Sequence, residues 1–443
     1  MTQENNQNRG GGGESLIRRL YTMDNLPVLR SINSETVDLI YLDPPFNSGK
    51  QWENPIGEGN KRALASFKDT WTLSDTHADE AYALSLSYPQ TIPLINALYE
   101  INGGSWKAYL IYMGARLVEM RRILKPTGSI YYHCDPVMSH GIKLLMDAIF
   151  GKESFRNEII WGYKTGGVPS VKGTFARKHD IVLFYGKRNN VFNPLLQKSY
   201  VPTLPEPHTK SGKRLGVMRD NINKYRKVRM RDYWINTGII PEDDVREMYR
   251  NDRERTGYPT QKPLSLLERI IKASSNENDL VLDPFCGCAT TCLAAERLER
   301  QWIGIDLAEE AATLVRDRLQ KEGEGLDIIA YEVEHLDKLP KRTDLDGLRS
   351  DNAILKPRLY KLQGGICLGC EKETRIELMD FDHIIAKSRG GQDTDENIQL
   401  LCGNCNSIKG DRGMHYLWRQ ILERRTEEKM REYEERRRIR TAA

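Results

Sequence analysis

Asp43-Pro44-Pro45-Phe46 brings together a carboxylate, two residues that stiffen the backbone and an aromatic face. Asp43 and the Pro44 carbonyl can accept hydrogen bonds from an exocyclic NH2, aiming the nitrogen lone pair at an electrophile, while Phe46 stacks on the attached heterocycle. A strand-ending turn capped by Asp43 would use the same four residues, so the motif needs a second site beside it. Leu282 to Thr291, LDPFCGCATT, supplies one: Asp283 ends a strand, and Phe285-Cys286-Gly287 makes a tight turn before a helix. Backbone amides can therefore approach a ligand beyond the strand end. Asp306, about twenty residues on at the next strand tip, suits ribose hydroxyls. A third group is metal-binding in type: Cys367-x-x-Cys370 and Cys402-x-x-Cys405 have the spacing of a tetrahedral structural zinc site.

The elements that must position these groups follow from hydrophobic patterning. Val37 to Leu42 is a short apolar run and reads as a buried strand. A polar excursion from Asn47 to Ser87 precedes a helix over Trp106 to Leu124, stopped by Lys125-Pro126-Thr127-Gly128. Strands are expected at 129–133, 158–163 and 181–185, with a helix over 137–150. After an irregular stretch, a helix runs from Pro263 to Ser274, strands fall at 280–282 and 302–305, and a helix starts at Thr290. This alternation predicts a doubly wound α/β sheet.

With 443 residues and 39% hydrophobic content, the chain holds two or three domains with ordinary cores. Residues 1–13 are polar and glycine-ending, hence disordered by expectation. No apolar run spans a bilayer and no signal peptide opens the chain, so a cytoplasmic location without membrane contact is expected. That setting fits eight cysteines without a disulfide framework. Net charge is only +4, but Lys210 to Arg231 carries nine basic residues against the single acid Asp220. Alone such a run is a solvated face; beside a DNA-directed site it is a phosphate-binding one.

The motif pair resembles the S-adenosylmethionine-dependent DNA methyltransferases that act on adenine N6 or cytosine N4. Thr260, Gln261 and Lys262 match that family's P-T-Q-K-P segment. The order, catalytic motif before cofactor motif, is that of the permuted β group. The resemblance covers residues 16–335 and implies a Rossmann-like methyltransferase domain over 14–336, with the insertion at about 192–255 reading duplex DNA. It implies that Asp43, Pro44, Pro45 and Phe46 are catalytic toward a base flipped out of the duplex. Asp24, Thr260, Gln261, Lys262, Asp283, Phe285, Gly287 and Asp306 would hold the cofactor. The family's second glycine is Ala289 here, whose methyl is expected to narrow the turn.

After a charged linker at 337–357, residues 358–412 resemble the HNH endonuclease fold, a ββα-metal unit. The likeness rests on Phe381-Asp382-His383-Ile384-Ile385, Asn397 and Asn406 between and after the zinc knuckles. It implies that His383 is the general base, that Asn397 orients water, and that Asp382 and Asn406 bind a catalytic divalent cation, Mg2+ by expectation. An imidazole with a pKa of about 6.5 suits that proton transfer. A charged helix is expected over 413–443. The combined expectation is methylation, adenine N6 before cytosine N4, with DNA cutting in one chain, as in restriction and modification. Two other readings stay open: a methyltransferase whose zinc module only anchors DNA, and a nuclease on a scaffold that Ala289 has spoiled for cofactor. Homodimerisation also stays open.

Overall fold

Every residue of the strand Val37–Leu42 is buried, as expected for a strand covered on both faces. The computed structural model describes residues 17–47, 50–56, 63–69, 71–73, 75–163, 173–200, 218–219, 224–235, 254–308 (without 257 and 259), 313, 315, 317–318, 334–345 (without 337) and 349–442. Its strands are β1 (Arg18–Thr22), β2 (Val37–Leu42), β3 (Lys50–Ile56), β4 (Ala63–Asp69), β5 (Leu124–Cys134), β6 (Phe155–Gly162), β7 (His179–Gly186) and β8 (Leu196–Tyr200). There follow β9 (Met218–Arg219), β10 (Lys224–Arg229), β11 (Tyr233–Ile235), β12 (Leu280–Asp283), β13 (Gln301–Asp306), β14 (Glu334–Leu336), β15 (Met379–His383) and β16 (Ile398–Cys402). Among the described residues, nine form one sheet in the order β11-β6-β7-β5-β2-β12-β13-β1-β14. All its pairings are parallel except those of β7 with β5 and β6.

Side chains alternate between the two sheet faces, and the cores divide accordingly. Ile40 and Leu42 join one cluster with Leu117 and Leu145 from the helices Gly104–Ile123 and Ser139–Phe150. Leu39 and Tyr41 join another with Leu267 and Leu293 from Leu264–Ser274 and Thr290–Arg297. Helices on both faces make the sheet doubly wound, as the patterning predicted. Because β2 pairs β12, with Val281 opposite Leu39 and Leu282 opposite Ile40, the two motifs leave adjacent strand ends.

Several elements differ from expectation. The helix ends at Ile123 as expected, but residues 125–128 are not a turn and lie inside β5. The region read as a polar excursion holds the β3/β4 hairpin and the whole of the helix Asp75–Ser87. Its apolar side chains divide between two cores, Leu84 in that of the sheet and Tyr82 against that of the carboxy-terminal module, so it lacks the single apolar stripe that marks a helix in sequence. The expected linker ends early, since residues 352–357 begin the helix Asn352–Leu362, capped by Asp351 and anchored by fully buried Leu355. Residues 1–13 and most of the 192–255 insertion lie outside the described residues; those described form the three-stranded sheet β8-β10-β9 and the strand β11.

The carboxy-terminal module pairs β15 antiparallel with β16 and packs the short helix Gly403–Lys409 on them, the ββα arrangement expected. Its final helix, Met414–Ala442, lies against Asp75–Ser87 of the first domain. No helix among the described residues is long and apolar enough to cross a membrane.

Candidate active sites

At the end of β2, one oxygen of Asp43 takes an ion pair from the Lys262 ammonium, which also reaches the Thr260 carbonyl at 3.3 Å. The other, Oδ1, is buried without a hydrogen-bond partner. Lys262 also lies 5.5 Å from the Phe46 ring centre, so the P-T-Q-K-P segment and the D-P-P-F motif form one site. Gln261 acts differently: its side chain accepts from Thr256 and donates to the Glu254 carbonyl, bracing the loop that delivers Lys262.

Beneath Phe46 lies His133, wholly buried on β5, whose ring is nearly parallel to the phenyl ring at 17° and 6.1 Å. Its Nδ1 meets the Tyr41 hydroxyl at 2.9 Å and its Nε2 meets Asp180 at 3.1 Å. Burial pushes the Asp180 carboxyl up, but His133 and Lys262 outweigh it and leave the group below its ordinary value. His133 was not singled out in the sequence; a histidine inside the apolar run of β5 was the available signal.

At the end of β12, Asp283 is buried with both oxygens engaged, one by the Phe285 amide at 3.0 Å and the other by the Thr291 hydroxyl at 2.5 Å. Burial raises its pKa to about 7 against those two hydrogen bonds. Asp283 thus shapes the turn from inside. Asp306 receives the Gly287 amide at 2.8 Å and the Ala308 amide at 2.9 Å, one on each oxygen. Asp306 thus sits on the Gly287 turn at the tip of β13, where an acid that binds the ribose of S-adenosylmethionine would stand.

Gly287 has φ +50°, and a Cβ there would stand 2.9 Å from Tyr258, whose ring covers the turn. Burial and the Asp306 charge push the Tyr258 phenol up. Ala289 also adopts the left-handed conformation, φ 54° and ψ 39°, but its methyl is packed in the core. The expectation that it narrows the cofactor turn is therefore corrected: the departure from glycine costs backbone strain rather than pocket space.

Asp24 caps the helix Asn25–Ser31 through the Leu26 amide and takes both oxygens to Arg116, at 3.1 and 3.0 Å. Arg116 also donates to Asn25 at 2.6 Å, and Asn25 reaches the Pro284 carbonyl at 2.7 Å, tying Asp24 to the cofactor turn. With its side chain 45% exposed, Asp24 keeps an edge open to ligand. Arg116 is 1% exposed and was missed in the sequence, although an arginine on the buried face of an apolar helix was the sign.

In the second module the Cys367, Cys370, Cys402 and Cys405 sulfurs lie within 4.8 Å of one another, the arrangement of a four-thiolate zinc site. Burial pushes the Cys367 thiol up, but backbone amides of Cys402, Cys370 and Gly369 outweigh this and lower it, favouring the ligating thiolate. His383 meets Asp393 at 3.0 Å, a carboxylate suited to orienting an imidazole base.

Two expectations for this module change. Asn397 spends its amide on the Ile385 amide and the Ile385 and Gln392 carbonyls, so it staples the loop instead of orienting water. Asp382 is 6% exposed, with one oxygen 3.0 Å from the Lys409 ammonium and the other 2.7 Å from the Gln399 amide. With an ammonium on one oxygen and an amide on the other, Asp382 does not fit cation binding in this arrangement. Asn406 lies half-buried on the Gly403–Lys409 helix.

Residues 37–317 match the DNA methylase family of N6 and N4 enzymes, and residues 367–412 match the HNH endonuclease family. The chain belongs to that DNA methylase family and carries an HNH endonuclease domain. It is 33% identical over 335 residues to type II methyltransferase M.EcaI of Enterobacter cloacae, a match covering 65% of each chain. It is 30% identical over 331 residues to the DNA adenine methyltransferase YhdJ of Escherichia coli (strain K12), covering 72% of this chain and 86% of that one. The chain thus spans just under two thirds of M.EcaI, and more of YhdJ.

Proposed function

We propose that the chain methylates the N6 amino group of adenine in duplex DNA, using S-adenosylmethionine, and that its HNH domain cleaves the same substrate. The observation that carries the first part is the buried, unpartnered Oδ1 of Asp43 beside the Phe46 ring and one strand from the cofactor turn. Leaving an acceptor buried and unmet costs about 1–3 kcal/mol, which an incoming amino group offsets. Lys262 fixes the carboxylate, and Phe46, backed by His133, offers a flat face to the flipped base. S-adenosylmethionine, when bound, supplies the electrophilic methyl carbon. Asp43 and the Pro44 carbonyl would hold the amino group with its lone pair toward that carbon, so that the methyl would pass from sulfur to nitrogen as one amino proton leaves.

Asp24 and Asp306, with the Gly287 turn, would hold the cofactor, and Thr260 and Phe285 border it. The strand β10, bearing Lys227 and Arg229, would meet DNA phosphates. Adenine over cytosine is supported by the likeness to YhdJ. Plasmid DNA incubated with methyl-labelled cofactor and digested to nucleosides tests this reading. N6-methyladenine is expected; N4-methylcytosine refutes the choice of base, and no label refutes methyl transfer.

For the HNH domain, His383 held by Asp393 would activate water for phosphodiester attack. Methylation deciding whether cutting occurs, as in restriction and modification, follows from the two chemistries sharing one substrate. Cleavage of unmethylated plasmid in the presence of Mg2+, with methylated plasmid spared, is the expected result.

A further inference from the structure

The methyltransferase domain contributes a side chain to the nuclease centre. Tyr82, on the helix Asp75–Ser87, donates its hydroxyl to Gln399 Oε1 at 3.1 Å. That hydrogen bond fixes the orientation of the Gln399 amide, whose NH2 then points at Asp382 Oδ2 at 2.7 Å. Gln399 is 2% exposed and Asp382 6%, so neither has water as an alternative partner. On the other oxygen stands Lys409, wholly buried, which also donates to the His383 carbonyl at 2.8 Å. The Tyr82 ring is held in turn by edge contact with Trp418 at 5.1 Å. Beside it, Asp79 takes the Arg389 guanidinium and the His415 amide, each at 3.0 Å.

We propose that Tyr82 and Gln399 are positioning residues of the HNH centre, and that with the two domains docked they and Lys409 hold Asp382 closed to a divalent cation. The inference rests on the proposed nuclease function, with Asp382 and Asn406 as the ligands a cation would take only once this arrangement opens. Physically, a carboxylate whose oxygens are shared between an ammonium and an amide in a dry site must release one of them before it can coordinate a metal. Deleting the Tyr82 hydroxyl leaves the Gln399 carbonyl oxygen buried without a donor, so the amide loses its reason to stay against Asp382. The methyltransferase helix thereby sets how readily the nuclease takes up metal.

The test is Mn2+ binding to the full-length, zinc-loaded chain, read by the Mn2+ electron paramagnetic resonance signal, for the unaltered protein, Tyr82→Phe and Asn406→Ala. Tyr82→Phe is expected to bind Mn2+ about five-fold tighter, the equivalent of one ordinary hydrogen bond. Asn406→Ala is expected to abolish that binding, which assigns the signal to the HNH centre. S-adenosylmethionine affinity, measured on the same samples, reports that the first domain remains folded. Equal or weaker Mn2+ affinity in Tyr82→Phe overturns the inference while leaving the cation reading intact. Absence of Mn2+ binding in both the unaltered protein and Tyr82→Phe removes the cation reading, and the inference with it.

Discussion

Glu80→Gln isolates one buried charge. Glu80, on the helix Asp75–Ser87, is 6% exposed, and burial raises its pKa from the ordinary 4.5 to about 7. Arg116, 3.8 Å away, pulls in the other direction, as does Arg30, but Arg116 already spends its donors on Asp24 and Asn25. Glu80 Oε2 consequently has no partner. The sign follows from linkage: between about pH 4.5 and pH 7 the folded chain holds a proton that the unfolded chain has lost, so stability falls as pH rises through that window. At about 1.4 kcal/mol per pH unit the upper bound is about 3 kcal/mol. Glutamine keeps the shape and removes the ionisation. Urea unfolding of both proteins at pH 5 and pH 8 should show the variant's advantage growing by about 2.5 kcal/mol toward the higher pH. Asp283, raised in the same direction, is present in both proteins and cancels from the difference. A stability difference that is the same at both pH values would refute the assignment of a buried, largely protonated Glu80.

Lys262→Met removes the partner of Asp43 in a site where the two side chains are only 9% and 15% exposed. Loss of about 3 kcal/mol of positioning predicts single-turnover methyl transfer slowed about a hundredfold, and an unchanged rate would show that the pair is incidental. Gly287→Ala places a Cβ 2.9 Å from Tyr258 at φ +50°, so calorimetry should find S-adenosylmethionine bound at least about tenfold more weakly. Chelation of zinc should abolish hydrogen-exchange protection of β15 and β16 while the nine-stranded sheet keeps its own, because a four-thiolate site is worth about 10–16 kcal/mol to a module this small.

Both motifs were legible in the sequence because their chemistry depends on residues adjacent in the chain. Asp43 to Phe46 and Asp283 to Gly287 each sit on one strand end, and the strands carrying them are short apolar runs with one possible role. The zinc knuckles were legible for the same reason. What could not be read was every contact that crosses the fold. Asp283 resembles a ligand-binding acid, and only the Thr291 hydroxyl and Phe285 amide packed on it make it a buried brace. Asn397 and Asp382 have the residue types of an HNH centre, yet their partners, the Ile385 to Gln392 loop and Lys409 with Gln399, decide what they do. The helix Asp75–Ser87 escaped because its Asp79 and Tyr82 meet the Arg389 guanidinium and the Gln399 amide of the other domain, and such contacts carry no apolar period.

That helix also explains how two catalytic modules keep one register. Its Asp79 binds Arg389 of the HNH module, while its Glu80 faces Arg116, the residue that grips Asp24 at the cofactor side. Arg30 completes the connection by donating to the Arg389 carbonyl at 3.1 Å, with burial and the neighbouring Arg116 and Arg389 holding its own pKa below the ordinary value. Buried charges of this kind add little net stability, because desolvation consumes most of what pairing gains. Their effect is on geometry: a module shifted sideways would leave Asp79 or Arg30 without its partner across the interface, at a cost of several kcal/mol for each stranded charge. At Gly413 the fit is closest, since a Cβ there would come within 1.7 Å of the Asp79 carboxylate, so a larger residue must displace that side chain from Arg389 and His415. A polar interface of this kind penalises displacement more than it rewards contact, which fixes the position of the HNH module on the helix.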